Sequence, residues 1–499
     1  MKNIFRILLL AFVAMLASNL SAKQSEFPKR EFRGAWIQAV NGQFMNMNEA
    51  QMKQYLVTML DNLKRANVNA IIFQVRVEGD ALYESKLEPW TRYITGKQGK
   101  SPGWDPLAFM VEESHKRNME LHAWINPYRA RTKGTTKVAP NHQSAMHPER
   151  FIAYEGQLYF NPALKENRDY ICTVAKDIVS RYDVDGLHID DYFYPYPVKG
   201  KKFNDDADFR RSRAANLGDW RRENVNRLIK QLHETVRATK PWVKFGVSPF
   251  GIYRNATETV PEGSATKGLQ AYDELYADIL LWVNEGWVDY CIPQVYWEIG
   301  HKAADYEALV KWWAKYSSNR PLYIGQDVNR TVRAADPSKS GQHQLPMKMK
   351  LQREQKHIQG SCLWDAASAA KNVGNYRDAL EQYYHRYPSL MPKYSFIDKK
   401  APRKVVGVRL IDTNDGKALV WLTEKKKKDT ALDEPWRYVV YRFDRKEKVN
   451  IDDPSKIITI TSKPFYNIPK DTKGRYTYVV TVLDRMQNES KGVKCKVKL

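Results

Sequence analysis

Cysteine is scarce in this chain of 499 residues. The four present, Cys172, Cys291, Cys362 and Cys495, show no close pairing in sequence. Structural zinc sites draw on closely spaced Cys or His pairs, so none is expected. Cys291 and Cys362 fall inside apolar runs and are expected as buried free thiols. HExxH and other spaced histidine pairs are also missing. No Gly-rich turn follows the first predicted strand near residues 40–44, where a doubly wound dinucleotide fold would carry one. Helix-turn-helix and zinc-finger patterns are lacking, so no nucleic-acid partner is expected despite the formal net charge of +23. The basic residues are scattered apart from Lys425–Lys428, which reads as a solvated hairpin loop. After the first 22 residues no apolar run is long enough to span a membrane.

What is present describes a globular protein of two or three domains. The apolar fraction is 43% and the aromatic fraction 12%, enough for a sizeable core. Lys2 and Arg6 precede an apolar run at 7–17, and small residues follow at Ser18, Ser21 and Ala22. Residues 1–22 therefore read as a secretory signal peptide, which predicts export to the periplasm or beyond. No cysteine follows the run, so a lipid anchor is not expected.

From 31 to 390, strand-like runs alternate with helical periodicity. Strands are predicted at 33–40, 69–76, 120–127, 186–192, 244–251, 290–297, 321–327 and 360–366. Helices are predicted at 48–66, 104–118, 167–182, 219–239, 271–285, 306–316, 346–359 and 376–387, with an irregular insertion at 128–160. Eight alternations predict an α/β fold, a (β/α)8 TIM barrel. From 400 to 499 the helical period vanishes and six strand-like runs follow, at 405–411, 418–423, 437–443, 457–461, 476–483 and 493–497. They predict a small all-β, fibronectin type III-like sandwich.

In such barrels chemistry lies at the carboxyl ends of the strands. The pleat puts Trp36 and Gln38 on one face of the first strand and Gln74 and Arg76 on one face of the second. His122, Trp124 and Asn126 share a face of the third, His188 and Asp190 of the fourth, and Gln294 and Tyr296 of the sixth. Tyr323 and Asp327 lie together on the seventh. A ring of polar groups near the strand ends is costly to bury unless it serves a site. Cleaving a glycosidic bond takes carboxyl groups. Asp190 is the first candidate, with Arg76 and His188 expected to keep it ionised. Asp191 points away on a regular strand and reaches the site only if the strand ends there. Glu298 continues the parity of Gln294 and is a candidate proton donor. Glu78, Asp80, Asp327 and Asp365 are weaker candidates, more readily explained as loop carboxylates. Trp36, Trp124, Tyr192, Tyr296 and Trp297 are candidates for stacking on sugar rings.

Several segments together resemble the glycosyl-hydrolase-like 10 family of exported bacterial proteins. They include Phe32-Arg33-Gly34-Ala35-Trp36, Phe73-Gln74-Val75-Arg76, Gly79-Asp80-Ala81-Leu82-Tyr83 and Ala123-Trp124-Ile125-Asn126-Pro127-Tyr128-Arg129. Glu88-Pro89-Trp90, the run from Asp185 to Pro195, Trp220-Arg221-Arg222-Glu223-Asn224-Val225-Asn226, Val247-Ser248-Pro249-Phe250-Gly251 and Pro293-Gln294-Val295-Tyr296-Trp297 complete the match. The resemblance implies a glycan-hydrolysing barrel whose relatives act on peptidoglycan strands stripped of stem peptides. It places Asp80, Arg129, Asp190 and Asp191 in matching motifs, and Glu298 where the family varies. No cofactor is expected. The chain is thus expected to be an exported glycoside hydrolase of a cell-wall glycan. Two other readings stand beside it. One is a glycan-binding barrel that has lost a catalytic group. The other is a metal-dependent deacetylase using His188, Asp190 and Asp191.

Overall fold

The computed structural model describes residues 27–499 except 136, 318, 415 and 425–428. The segment read as a signal peptide, 1–22, and the lysine run at 425–428 lie outside the described residues.

Eight parallel strands close into a barrel: β1 (Phe32–Ile37), β2 (Ala70–Arg76), β3 (Glu120–Ile125), β7 (Gly186–Ile189), β8 (Lys244–Val247), β9 (Tyr290–Cys291), β10 (Leu322–Asp327) and β11 (Ile358–Trp364). Helices join successive strands on the outside, as the alternation predicts. The first, Glu49–Arg65, starts at a capping box between Asn48 and Gln51 and buries Met52, Leu56, Met59, Leu60 and Leu63 against the barrel. The predicted helix at 271–285 is broken into Ala271–Glu274 and Ile279–Asn284. Between them Tyr276 takes φ +57°, which a helix cannot accommodate. The predicted strand at 290–297 pairs regularly only over β9. Pro293 has no N–H to give the ladder, and Gln294 is reduced to isolated bridges with Phe250 and Gly325.

The insertion read as irregular is instead partly ordered. It holds a three-stranded antiparallel sheet of β4 (Arg129–Arg131), β5 (Phe151–Tyr154) and β6 (Gln157–Phe160), in the order β4-β6-β5. Glu155 and Gly156 turn the hairpin with φ +49° and +76°, the two positive values that a two-residue turn of matching twist requires.

Aromatic rings fill the barrel interior. Phe32, Trp36, Trp124, Tyr290 and Tyr323 pack with Ala70, Ile72 and Cys362. Glycines on neighbouring strands make room: a Cβ on Gly246 would lie 2.0 Å from the Tyr290 ring, and one on Gly186 2.5 Å from His122. A column of polar groups threads the same interior. Lys244 Nζ donates to Glu120 at 2.8 Å, and His122 Nε2 lies 3.0 Å from the same carboxylate. His122 Nδ1 is 2.7 Å from the Tyr290 hydroxyl, which is 3.1 Å from His188 Nδ1. His188 Nε2 then meets Ser248 Oγ at 2.8 Å. One tautomer set satisfies the whole column: His122 protonated on Nε2 and His188 on Nδ1.

The C-terminal region forms two antiparallel sheets. β12 (Val406–Thr413), β13 (Gly416–Leu422) and β16 (Phe465–Ile468) make one, ordered β12-β13-β16. β14 (Arg437–Asp444), β15 (Ile457–Thr461), β17 (Arg475–Leu483) and β18 (Val493–Lys498) make the other, ordered β15-β14-β17-β18. β16, only four residues long, is one strand more than the sequence pattern suggests. Leu419, Trp421, Val440 and Val480 pack between the sheets. Val439, Tyr441, Phe443 and Val479, of opposite parity, pack with Leu390 on the other side. The connection between β17 and β18 closes the amino-terminal end of the barrel. Met486 joins the interior aromatic cluster, and Gln487 donates to Glu120 at 3.0 Å. The strands finish at the opposite end. All four cysteines are free, and Cys172, Cys291 and Cys362 are buried. Among the described residues no helix is long and apolar enough to cross a membrane.

Candidate active site

β7 ends at Ile189, so Asp190 and Asp191 leave the pleat together at the carboxyl end of the barrel. This strand end is what lets the second aspartate turn in. Both are 3% exposed. Asp190 is surrounded by donors. The Trp124 indole donates to Oδ2 at 3.0 Å, the Asn126 amide to both oxygens at 3.1 Å, and the Tyr192 backbone N–H to Oδ1 at 3.2 Å. Burial pushes the Asp190 carboxyl up, against the opposing pull of Arg129, Asn126, Tyr192 and Trp124. Asp191 accepts from Gln294 Nε2 at 2.9 Å and from the Tyr196 hydroxyl. Burial, then the charge of Asp190, push its carboxyl up to about 6. Two adjoining carboxyls in unlike surroundings can divide the roles of acceptor and proton donor.

Arg129 stands behind Asp190. Its N–H bonds Asn126 Oδ1 at 2.9 Å, its Nε bonds the Val77 carbonyl, and its guanidinium lies 4.9 Å over the Tyr192 ring. Gln294 also donates to the Ser248 carbonyl at 2.9 Å. Trp36, Trp124, Tyr296 and Trp364 form a continuous aromatic surface beside the pair, with ring centroids 6.0–6.4 Å apart. A second run of rings leads away from Asp191. Tyr192 meets Tyr196 at 5.4 Å, Tyr196 meets Phe250 at 6.0 Å, and Phe250 meets Trp297 at 5.5 Å.

Several sequence candidates have other places in the fold. Arg76 sits on a bulge: Gln74 pairs with Trp124 but Arg76 with Ile125, so the parity flips after Gln74. The fully buried Arg76 therefore turns outward and forms a bidentate ion pair with Glu88 at 2.7–2.9 Å. The charge expected from it beside Asp190 is supplied by Arg129. His188 faces inward but lies beneath the site, between Tyr290, Ser248 and the Trp36 indole N–H at 3.4 Å. Burial and His122 hold its imidazole well below its ordinary value, so it is neutral and gives Asp190 no charge. It also does not converge with the aspartates, as a chelating trio would need. Among the described residues no cluster of three or more His, Cys, Asp or Glu side chains has metal-holding geometry.

Asp80 is fully buried and accepts from Gln98 Nε2 at 2.9 Å and from the Glu78 N–H at 3.0 Å, which makes it a loop anchor. Glu298 lies near Lys348, whose ammonium burial lowers to about 7 against the pull of Asp327 and Glu298. Gln38 lies past the end of β1, and its carbonyl accepts from Gln43. Asp327 and Asp365 are spent as helix N-caps, accepting from Arg330 and Ser368 backbone N–H groups. Sequence reasoning missed Tyr196, Ser248 and Trp364 as part of the site. Trp364 was discoverable by parity from Cys362, and Tyr196 from its place in the aromatic run after Asp191.

A cavity of ≈ 830 Å³ lies beside the starts of β1 and β11, lined by Arg30, Glu31, Arg353 and Gly360 among others. The aspartate pair lies at the other end, where strand carboxyl ends and loops converge.

A closed parallel barrel with paired acids and part-exposed aromatic rings at that end fits the class of barrel glycoside hydrolases. The model described as Glycosyl hydrolase-like 10 matches residues 31–341. Glycosyl hydrolase YngK of Bacillus subtilis (strain 168) is 37% identical over 509 residues, covering 99% of this chain and 98% of that protein. Glycosyl hydrolase DigH of Escherichia coli (strain K12) is 41% identical over 287 residues, 55% of this chain and 65% of that protein. The chain belongs to the glycosyl hydrolase-like 10 family, and it is a glycoside hydrolase. A solved structure, the catalytic domain of a β-amylase from Paenibacillus polymyxa, aligns with TM-score 0.46 at 10% identity, over 72% of this chain and 99% of that one.

Proposed function

We propose that this glycoside hydrolase is exported and cleaves the glycan strands of cell-wall peptidoglycan after their stem peptides are removed, with Asp190 and Asp191 as its working pair. The observation that carries the site is the unlike dressing of two adjoining acids: three kinds of donor and Arg129 around Asp190, two donors around Asp191. Asp191, pushed up to about 6, supplies the proton to the leaving oxygen, and Asp190 offers negative charge to the positive centre that forms. The part-exposed rings of Tyr192, Tyr296 and Trp297 offer faces on which sugar rings stack, whereas Trp36 and Trp124, candidates by sequence, are buried beneath them and back the surface instead. Export is supported by the charged and apolar pattern of residues 1–22. Peptide-free strands carry lactyl carboxylates, and the net charge of +23 attracts them. The C-terminal sheets, of three and four strands, are read as a fibronectin type III-like sandwich that braces the barrel through Met486 and Gln487.

The test is digestion of peptide-free peptidoglycan strands, read as new reducing ends. Wild-type protein is expected to shorten them. Failure on these strands with cleavage of another glycan would refute the substrate, and full activity in both Asp190→Asn and Asp191→Asn would refute the site.

A further inference from the structure

We infer that the site is built for 2-acetamido sugars, and that the substrate's own acetamido oxygen, not a protein carboxylate, bonds to the anomeric carbon. This rests on the reading of Asp190 and Asp191 as the working pair. Ordinary glycosidases place two carboxyls on opposite sides of the scissile bond, about 5–10 Å apart. Here the two acids are consecutive residues leaving one strand. Most other candidates are occupied: Asp327 and Asp365 cap helices and Asp80 and Glu78 anchor a loop, while Glu298 acts electrostatically on Lys348. Among the described residues no other carboxylate shares a hydrogen-bonding partner with the pair.

The groups that are present suit an acetamido side chain. Asp190 is held as an acceptor, which an amide N–H satisfies. The Tyr296 hydroxyl has no hydrogen-bond partner among the described residues, and its electrostatic neighbours include Asp191, the helix-capping Asp327 and Asp190, so it is free to donate to the acetamido carbonyl. The part-exposed rings of Tyr296 and Trp364, with Trp36 and Trp124 below them, give the acetamido methyl an apolar seat.

The steps balance. The acetamido oxygen attacks C1 as the bond from C1 to the leaving oxygen breaks, and Asp191 gives its proton to that oxygen. Asp190 accepts the amide N–H and offsets the positive charge of the resulting oxazolinium ring. Water then attacks C1 and gives a proton to the Asp191 carboxylate. The ring C–O bond breaks and the acetamide is restored. One water is consumed, both aspartates end as they began, and the anomeric configuration is retained.

The test compares three forms of the same peptide-free strands: native, de-N-acetylated, and re-acylated with trifluoroacetyl in place of acetyl. Trifluoroacetamide is close in size and uncharged but a much weaker nucleophile, so a merely binding role would not slow it. Both altered forms are expected to be cut at least about 100-fold more slowly than native strands, with re-acetylation restoring the rate. Proton NMR of the first-formed ends is expected to show retention. Equal rates on native and trifluoroacetyl strands, or inversion, would overturn the inference while leaving hydrolysis by the aspartate pair intact. If peptidoglycan is untouched, chitin and cellulose oligosaccharides replace it. Cleavage of the 2-hydroxyl series overturns the inference, and cleavage of neither series defeats the proposed glycan reading as well.

Discussion

Gln294 donates from one nitrogen to Asp191 Oδ1 and to the Ser248 carbonyl, each at 2.9 Å. A residue just beyond β9 therefore fixes the acid at the end of β7, and its N–H group favours the ionised form of Asp191. Removing it in Gln294→Leu leaves burial and Asp190 less opposed. The alkaline limb of the pH–rate profile, expected near 6 in the wild type, should move up by on the order of one unit. An unmoved limb would show that Asp191 is not the group titrating there.

Asp80 offers a pH test outside the proposed chemistry. Burial, then Glu78, raise its carboxyl from 3.8 to about 6. A raised folded-state value means that its contribution to stability is complete below about 3.8 and is lost as pH rises through about 6. Asp80→Asn cannot ionise. Between pH 4.5 and 7.5 it should lose less stability than wild type, by on the order of 1–3 kcal/mol, as read by paired denaturant titrations. An identical pH slope in both proteins would contradict the assignment.

Arg76 separates scaffold from site. Arg76→Met leaves the Glu88 carboxylate buried without its bidentate partner. The cost should be about 3–5 kcal/mol, visible as a large drop in melting temperature. The kcat of the protein that remains folded should stay within about tenfold of wild type, because Arg76 reaches the aspartates only indirectly, through the Asn126 carbonyl it bonds at 2.6 Å. A selective loss of kcat at unchanged stability would restore Arg76 to the site.

Tyr290 joins His122 to His188 inside the barrel. Tyr290→Phe keeps the ring but strands two imidazole nitrogens in a dry interior. Destabilisation of about 1–3 kcal/mol is expected, with KM for the glycan unchanged. Thermal melts and steady-state kinetics on the same preparation check both parts.

Much of this architecture was legible because the pleat is a strict rule within regular strands. Trp124, Asn126, Asp190 and Gln294 fell on one face by counting, and the structure puts them around one carboxylate pair. Counting failed where the backbone departs from the pleat. The bulge after Gln74 turned Arg76 outward, and nothing in Phe73-Gln74-Val75-Arg76 announces an extra residue. The orientation of Asp191 depended on β7 stopping at Ile189, which alternation alone does not reveal. His188 was given the correct face but the wrong depth, since pattern does not tell which layer of a barrel a residue occupies. Arg129 lay in a resemblance motif, yet its role beside Asp190 arises from the fold of β4, too short a strand to read from sequence.

The central claim is that Asp190 and Asp191 carry out the cleavage. Its most direct test is the rate of reducing-end release from peptide-free peptidoglycan by Asp190→Asn and Asp191→Asn, each at a melting temperature matching wild type. Each variant is expected to lose about 10²- to 10⁴-fold in kcat. Wild-type rates in both folded variants would contradict the account.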